Sequence, residues 1–432
     1  MDPISFSPLL GLMLLVFLGS GVWVAISLLL ISIIGMWAIT NAPIALVMSQ
    51  NYWSALSGWT LTALPLFVWM GEILFRSRLS DDLFKGLSPW VSRLPGGLLH
   101  VNVLGCAVFA AVSGSSAATA ATVGRMSLPE LEARGYDEKM ALGSLAASGT
   151  LGLLIPPSIM MIVYGVSANV SIAQLFIAGV FPGLLVVALM MGFIGVWALF
   201  NRDRMPAPVE SLPLREKLYR LRLLLPVVFL IVAVIGSIYA GYATPTEAAS
   251  LGVAGALIIS LVTGGLNWNS FKESLYGATR TSCMIGFIIG SAAFLTSVMG
   301  YAGIPRALAS LINSYGLSVY PLLFALTLMF LVLGCFLDGI SIIVLTISII
   351  MPMVQAAGID LLWFGIYMVL VVEFSQITPP VGFNLFVVQS LTGRNILFVA
   401  KATLPFFMML LIALVILVAF PSIATWLPAK MM

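Results

Sequence analysis

Two short polar segments interrupt an otherwise apolar sequence and carry oxygen atoms of the kind that bind a small cation. The first, "AVSGSSAAT" at 111–119, sets serines around Gly114, and the second, "FLDGISIIV" at 336–344, places Asp338 before Gly339. Glycine permits a sharp reversal of the backbone, and hydroxyl, carbonyl and carboxylate oxygens are hard ligands that suit Na⁺ better than a soft metal. We therefore interpret both segments as candidate cation sites. Two structural roles stay open: hydroxyls that bond back to their own helix, and Asp338 as the N-cap of the next helix.

Two Pro-Pro pairs provide a second source of oxygen ligands. They lie in "SGTLGLLIPPS" at 148–158 and "SQITPPVGFN" at 375–384, each inside an apolar stretch. A proline within a helix has no N–H and displaces a helical hydrogen bond, so a carbonyl upstream, such as that of Gly152, loses its partner. Irregular backbone at membrane depth is tolerated only where protein or a water-filled cavity satisfies it. We therefore expect each broken helix to face a polar tip and to complete its cation site.

Other reactive chemistry is sparse in this chain. The three cysteines form no CxxC pair, His100 is the only histidine, and no phosphate-binding loop is present. These absences argue against a zinc site, a nucleophile–base pair and ATP hydrolysis, so the sequence predicts no enzyme and no enzymatic cofactor. Glu373 is a second intramembrane acid beside Asp338, and a role as a proton or ion partner stays open for it. Two alternative classes of protein stay open: a channel, and an intramembrane enzyme whose catalytic pair would be Asp338 and Glu373.

Composition places these segments in a membrane protein. The chain of 432 residues is 61% hydrophobic and 8% charged, with a mean hydropathy of +1.13, and apolar runs of about 20 residues, enough to cross a bilayer, recur throughout. The net charge of +3 gives no indication of a nucleic-acid partner. We predict an all-α polytopic protein of a bacterial inner membrane, with about ten transmembrane helices plus two re-entrant helical hairpins at 98–132 and 318–356. The predicted crossings are 4–20, 22–41, 59–76, 140–165, 172–200, 222–241, 246–265, 282–300, 361–392 and 396–420.

The positive charges predict the topology of these spans. If both hairpins leave on the side they entered, 17 of the 19 lysines and arginines fall on one face, and the other face keeps Arg306 and Lys430. Cytoplasmic loops carry the excess of Lys and Arg. Both termini are therefore predicted to be periplasmic, and no removable signal peptide is recognised at the N-terminus.

An internal repeat relates the two halves of the chain. Five positions match at an offset of 223 residues, namely Pro129/Pro352, Gly135/Gly358, Asp137/Asp360, Pro156/Pro379 and Pro157/Pro380. The first predicted repeat, 1–210, holds the hairpin 98–132 and the broken helix 140–165, and the second, 211–432, holds the hairpin 318–356 and the broken helix 361–392. A static scaffold is assigned to 1–60 and 215–268, with amphipathic arm helices at 78–94 and 304–316. Because the hairpins enter from opposite sides, the halves form an inverted-topology repeat, which is typical of secondary transporters.

The motifs resemble a known family. "AAVSGSSAATAATVG", "GTLGLLIPPSIMMIVYG", "TPTEAAS", "LGCFLDGISIIVLT" and "ITPPVGFNLFVVQ" are similar, in this order, to the large membrane subunit of TRAP (tripartite ATP-independent periplasmic) transporters. The resemblance implies an elevator-type fold and Na⁺-driven uptake of a small organic acid, such as a dicarboxylate or sialic acid. It implies two partners, a periplasmic substrate-binding protein and a separate small four-helix membrane subunit. The alternative is a Na⁺/dicarboxylate symporter that works without a binding protein.

The resemblance also implies which residues bind ions and substrate. The first Na⁺ site would be formed by Ser113, Gly114, Ser115, Gly149, Thr150 and Gly152. The second would be formed by Asp338, Gly339, Ser341, Thr378, Pro379 and Gly382. The organic anion would bind between the tips, at Ser116, Pro156 and Asn384.

Overall fold

The structure, a computed structural model, describes residues 3–77, 79–206, 212–305, 307, 310, 318–335, 337–379 and 382–431. In these residues the chain forms α-helices and short 3-10 segments, without a β-strand. The all-helical class predicted from the sequence is therefore confirmed for this part of the chain. The helices are α1 (Pro3–Gly19), α2 (Val24–Ile39), α3 (Ile44–Leu56), α4 (Ala63–Phe75), α5 (Leu79–Val91), α6 (Leu99–Ser113), α7 (Ser116–Ala133), α8 (Glu138–Gly149), α9 (Leu151–Leu154), α10 (Ile159–Ala168), α11 (Ile172–Phe200), α12 (Leu214–Leu221), α13 (Leu225–Tyr239), α14 (Pro245–Val262), α15 (Trp268–Tyr301), α16 (Val319–Gly334), α17 (Gly339–Ala356), α18 (Leu361–Ser375), α19 (Phe383–Thr392), α20 (Ile396–Ala419) and α21 (Ser422–Thr425).

Length and apolar composition decide which of these helices could cross a membrane. Six helical stretches in the described ranges meet both conditions, and the number rises to eight if each of two bent helix pairs counts as one span. The remaining apolar helices, such as α2 and α18, are 10–17 residues long. The chain is therefore polytopic, and the number of ten crossings stays a prediction.

The segment 98–132 consists of two helices that reverse at Gly114. This residue adopts a left-handed conformation (φ 60°) that favours glycine, and Ser115 caps the start of α7. A Cβ atom added to Gly105 of α6 would lie 3.4 Å from a methyl group of Val123 in α7. The two helices therefore run back along each other.

The segment 318–356 likewise consists of two helices, α16 and α17, joined through 335–338. Asp338 caps α17, and α16 packs chiefly against α18. The two broken spans also interrupt their helices at the Pro-Pro pairs, with α8, α9 and α10 in the first and α18 and α19 in the second.

Two predicted spans have different bounds in the structure. The span expected at 59–76 is preceded by α3, which the sequence reading left out, and the two parts meet at a bend of 62°. The span expected at 282–300 is the C-terminal part of α15, whose 34 residues reach about 51 Å at 1.5 Å per residue. The predicted spans 246–265 and 282–300 left a loop between them, whereas the exposed residues Lys272, Glu273 and Arg280 lie within this helix.

The arm predicted at 78–94 is helix α5, and the arm predicted at 304–316 lies largely outside the described residues. In the part of the chain that is described, α4 packs on α14 and α15 packs on α2, while α8 packs on α6 and α20. The most deeply buried helices are α8, from Met140 onward, and α18, from Trp363 onward. Helix α18 leads to the second Pro-Pro pair, and α8 leads to the first through the short helix α9.

Candidate ion and substrate site

The first tip is held in shape by its own serine and threonine hydroxyl groups. The Ser113 Oγ lies 2.8 Å from the Thr119 Oγ1, and the Thr119 hydroxyl donates to the Ser115 carbonyl at 2.7 Å. The Ser115 Oγ accepts a long hydrogen bond of 3.5 Å from the Ala118 N–H, as an N-cap. Ser113 and Ser116 are buried. The hydroxyls therefore fix the tip, as the helix-bonding alternative expected.

The first broken span packs directly on this tip. A Cβ atom added to Gly152 would lie 2.6 Å from the Ser115 carbonyl carbon and oxygen and 2.9 Å from the Ser116 nitrogen. A Cβ atom on Gly114 would lie 3.0 Å from the Pro157 carbonyl oxygen. Only glycine permits such approaches, so the structure brings Ser113, Gly114, Ser115, Ser116 and Gly152 together, with the 156–157 pair beside them.

The remaining residues predicted for this site lie one turn away. The Thr150 hydroxyl donates to the Ala147 carbonyl at 2.7 Å. Asn384, from the second broken span, donates its amide to the Ala146 carbonyl at 3.3 Å and lies against Gly149. The described contacts thus place Asn384 beside the first broken span, on a helix that belongs to the second half of the chain.

The second tip is held by the carboxylate that caps the start of α17. The Asp338 carboxylate accepts from the Ile340 and Ser341 N–H groups at 3.2 and 3.4 Å, and the Ser341 hydroxyl donates to it at 2.5 Å. Asp338 therefore acts as the N-cap, the structural role that the sequence had left open. A capping carboxylate keeps lone pairs for a further ligand, so the two roles are compatible.

Three contacts join the second tip to the second broken span. A Cβ atom on Gly334 would lie 2.0 Å from the Ser375 Oγ, and the Cys335 thiol donates to the Pro379 carbonyl at 3.3 Å. The Gln376 amide donates to the Leu337 carbonyl at 3.3 Å. Gln376 is 1% exposed and was missed from the sequence, where only its position before a Pro-Pro pair could have indicated it.

The backbone after the second Pro-Pro pair brings carbonyl groups close together. Gly382 has a positive φ of 41°, and a Cβ atom on it would lie 3.0 Å from the Thr378 oxygen and 3.1 Å from the Gln376 oxygen. The Gln376 carbonyl also accepts the Asn384 N–H at 3.1 Å. Gly339 lies against Met160 of α10, which belongs to the first half of the chain.

Several buried polar atoms of the described residues have no hydrogen-bond partner. They include the Asn384 Oδ1, the Asn102 Oδ1 and both carboxylate oxygens of Glu373. Asn102 also bonds Ser144 at 2.9 Å and was missed from the sequence, because one asparagine in an apolar helix carries no pattern. The unpartnered Oδ1 of Asn384 could accept a hydrogen bond from a bound ligand or bind a cation.

A cavity of 640 Å³ opens between α3 and α15 on one side and α10 and α17 on the other. Its polar lining includes Asn51, Asn169, Thr296, Ser348 and Gln355, and none of its described lining residues is charged. The cavity therefore offers a polar, neutral space beside the helices that carry the tips.

A family comparison decides the class of this protein. Residues 11–423 match the model of the "Tripartite ATP-independent periplasmic transporter, DctM component". The chain belongs to this family. As a TRAP transporter large permease it is a multi-pass inner-membrane protein, and its relatives are transporter permeases rather than enzymes.

Individual relatives are similar over most of the chain. The C4-dicarboxylate TRAP transporter large permease protein DctM of Pseudomonas aeruginosa is 35% identical, over 86% of this chain and 86% of its own. The sialic acid large permease SiaM of Vibrio cholerae is 29% identical, over 90% and 91%. The isethionate TRAP transporter permease protein DctMQ of Oleidesulfovibrio alaskensis is 32% identical, and the match covers 94% of this chain but 64% of DctMQ.

A solved structure shares the fold. The YdaH transporter of Alcanivorax borkumensis superposes with a TM-score of 0.59, over 97% of this chain and 99% of YdaH, at 12% identity. At this identity the likeness concerns the fold alone.

Proposed function

We propose that this TRAP transporter large permease takes up a small organic acid by coupling its movement to Na⁺, with an elevator mechanism. The observation that carries the proposal is the pair of glycine-mediated approaches between a tip and a broken span. Gly152 lies against the backbone of the first tip, and Gly334 of the second hairpin lies against Ser375. The first contact involves the Ser115 carbonyl oxygen and the second the Ser375 hydroxyl, so each brings a hard oxygen, of the kind that binds Na⁺, to the boundary between a tip and a broken span.

The bounds of the helices support the internal repeat. Shifting Ser116–Ala133 by 223 residues gives Gly339–Ala356, the bounds of α17, and the same shift takes the first residue of α8 to that of α18. The packing repeats as well: α6 on α8 corresponds to α16 on α18, and α7 on α19 corresponds to α17 on α10. Likewise, α4 on α14 corresponds to α2 on α15. Halves with equivalent packing and opposite predicted orientation are the basis of alternating access in secondary transporters.

The elevator proposal assigns the hairpins and broken spans to one moving unit. The scaffold would be residues 1–60 and 215–268 with the arms. In support, α15 packs on α2 and α3 of this scaffold, and the neutral cavity separates α3 and α15 from α10 and α17. The Thr296 and Ser348 hydroxyls bond across this boundary. A cross-link between cysteines at 296 and 348, in a chain freed of its own cysteines, should arrest uptake until it is reduced. A cross-link between 105 and 123, inside one hairpin, should not arrest it.

Topology and partners complete the proposal. The distribution of Lys and Arg supports periplasmic termini. The fused relative DctMQ supports a small membrane subunit beside the large one, and a periplasmic binding protein would deliver the substrate. The relatives named for C4-dicarboxylates, sialic acid and isethionate support an organic acid as cargo. The alternative, a symporter that needs no binding protein, predicts uptake without that protein.

A proteoliposome assay tests the proposal. The chain, reconstituted with the small subunit of its own system, is supplied with binding protein and a labelled organic acid under an inward Na⁺ gradient. We expect uptake only when Na⁺ and binding protein are both present. Equal uptake with choline in place of Na⁺ would refute the coupling, and uptake without binding protein would favour the alternative.

A further inference from the structure

Glu373 is an acid inside an apolar helix. Every residue of α18 from Trp363 to Ser375 is buried, and Glu373 is 0% exposed. Neither carboxylate oxygen has a hydrogen-bond partner among the described residues. An unpaired carboxylate in a low-dielectric interior carries a large free-energy cost, which protonation removes.

The helices that pack on α18 bring no compensating charge to Glu373. Those helices are α9, α10, α11, α16, α17, α20 and α21, and α9, α11 and α21 contain no ionisable residue. On the others, the Tyr164 hydroxyl donates to Leu361, about 18 Å along α18 from Glu373 at 1.5 Å per residue. Lys401 and Tyr320 are exposed. The Asp338 carboxylate, at the start of α17, is hydrogen-bonded within its own segment. The Cys335 thiol, at the end of α16, donates to the Leu331 and Pro379 carbonyls.

The surroundings suit a proton better than a metal ion. A metal ion needs several oxygen ligands around one point, and no hydroxyl or amide group of the described residues is hydrogen-bonded to either carboxylate oxygen of Glu373. A proton needs one oxygen. The equivalent position in the first half, 223 residues earlier, is Thr150, a residue predicted for the first Na⁺ site, whose hydroxyl donates to the Ala147 carbonyl. The fold therefore accepts a neutral side chain at this position.

The neighbours of Glu373 hold the second tip. Val372 lies against Gly339, Ser375 lies against Gly334, and Gln376 bonds the Leu337 carbonyl. A negative charge on a residue one to three positions from these contacts would draw water or a cation into the helix that positions the tip.

We propose that Glu373 is a proton-binding site of the transporter and that the proton must be bound for the tip and the broken span to cross the membrane together. This inference rests on the proposed transport function and adds a second ion, H⁺, to it. Deprotonation leaves an unpaired carboxylate in the moving unit, and moving such a charge through the membrane is unfavourable.

The test is the pH profile of Na⁺-driven uptake, at a fixed Na⁺ gradient, for the wild type and Glu373→Gln. In the wild type, uptake should fall by about tenfold for each unit of rising pH once the pH exceeds that at which Glu373 loses its proton. Glu373→Gln keeps the shape of the protonated acid and should hold its uptake over the same range. Glu132→Gln, on the exposed face of α7, serves as the matched control and should follow the wild type.

Identical profiles for the wild type and Glu373→Gln would overturn the proposal. If Glu373→Gln cannot be purified, infrared spectra of the wild type decide. A protonated-carboxyl band that disappears in parallel with uptake supports the site, and its absence at every pH refutes it. Absence of Na⁺-dependent uptake in the wild type would instead refute the proposed function, and the infrared titration would still test Glu373.

Discussion

Replacing Gly152 by alanine tests whether the close approach of the first broken span to the first tip forms an ion site. The added Cβ atom would lie 2.6 Å from the Ser115 carbonyl, whereas ordinary contacts begin at 3.4 Å. The tip must therefore move by about 0.8 Å, and because the neighbouring atoms are backbone, no flexible side chain can absorb the shift. Overpacking of this kind costs about 1–3 kcal/mol.

We expect this cost to appear in Na⁺ binding, because the atoms displaced are those of the proposed ligands. About 1–3 kcal/mol corresponds to an affinity that is about 5- to 150-fold weaker. The assay measures Tm against Na⁺ concentration in detergent, together with the Na⁺ concentration that gives half-maximal uptake. Both midpoints should rise by the same factor.

A matched control separates this effect from a general loss of stability. Gly192 lies in α11, and a Cβ atom on it would meet nothing within 4 Å. Gly192→Ala should keep the wild-type Na⁺ midpoint. If Gly152→Ala also kept that midpoint, the tip and the broken span would not form a Na⁺ site, and the interpretation of the glycine contacts would be wrong.

Three further predictions concern single polar groups. Asp338→Asn keeps an N-cap of similar strength, so the Tm measured without Na⁺ should change little. Uptake should fall by at least tenfold, because the carboxylate is a proposed Na⁺ ligand. Unchanged uptake would mean that Asp338 only caps the helix. Asn384→Leu removes one long hydrogen bond and an unpartnered acceptor, so the stability of the variant should stay within about 1–3 kcal/mol of the wild type. Its apparent affinity for the organic acid in the uptake assay should fall about tenfold or more. Unchanged affinity would mean that the acid binds elsewhere. Tyr136→Phe leaves the Leu98 N–H without its acceptor at 3.0 Å and should lower the stability by about 1–3 kcal/mol. Because burial raises the pKa of Tyr136, the phenol stays protonated below its ordinary pKa of about 10, so the Tm difference from the wild type should be constant from pH 6 to pH 9 and shrink only when the phenol ionises. A Tm difference that varied between pH 6 and pH 9 would contradict this assignment.

The sequence predicted the helix breaks well, because the residues that make them are chemically distinctive. A glycine within "SGSS" and an aspartate before glycine in an apolar run have few other uses, and the helices end and begin at those residues. The family was predicted on the same motifs and is confirmed over residues 11–423.

Other features could not be predicted, since they depend on three-dimensional packing. The bond from Asn384 to the Ala146 carbonyl and the bond from Gln376 to the Leu337 carbonyl join residues 238 and 39 positions apart in the chain. Helix α3 carries a polar stretch around Asn51 that resembles a loop, and α15 continues through charged residues because its first turns need not lie in lipid. The re-entrant course of the hairpins, the ion ligands and the coupling ion stay predictions.

The partnership of α10 with the second hairpin and of α19 with the first has a consequence for how the chain can be divided. Each half contributes a short helix that packs on the hairpin of the other half. A polypeptide cut between residues 201 and 213 would therefore give two fragments, and in each fragment the hairpin would lack one of its packing partners. Activity should return only when both fragments are produced in one cell and reassemble. A substitution in α10 of the first fragment would then impair the second tip, and a substitution in α19 of the second fragment would impair the first tip.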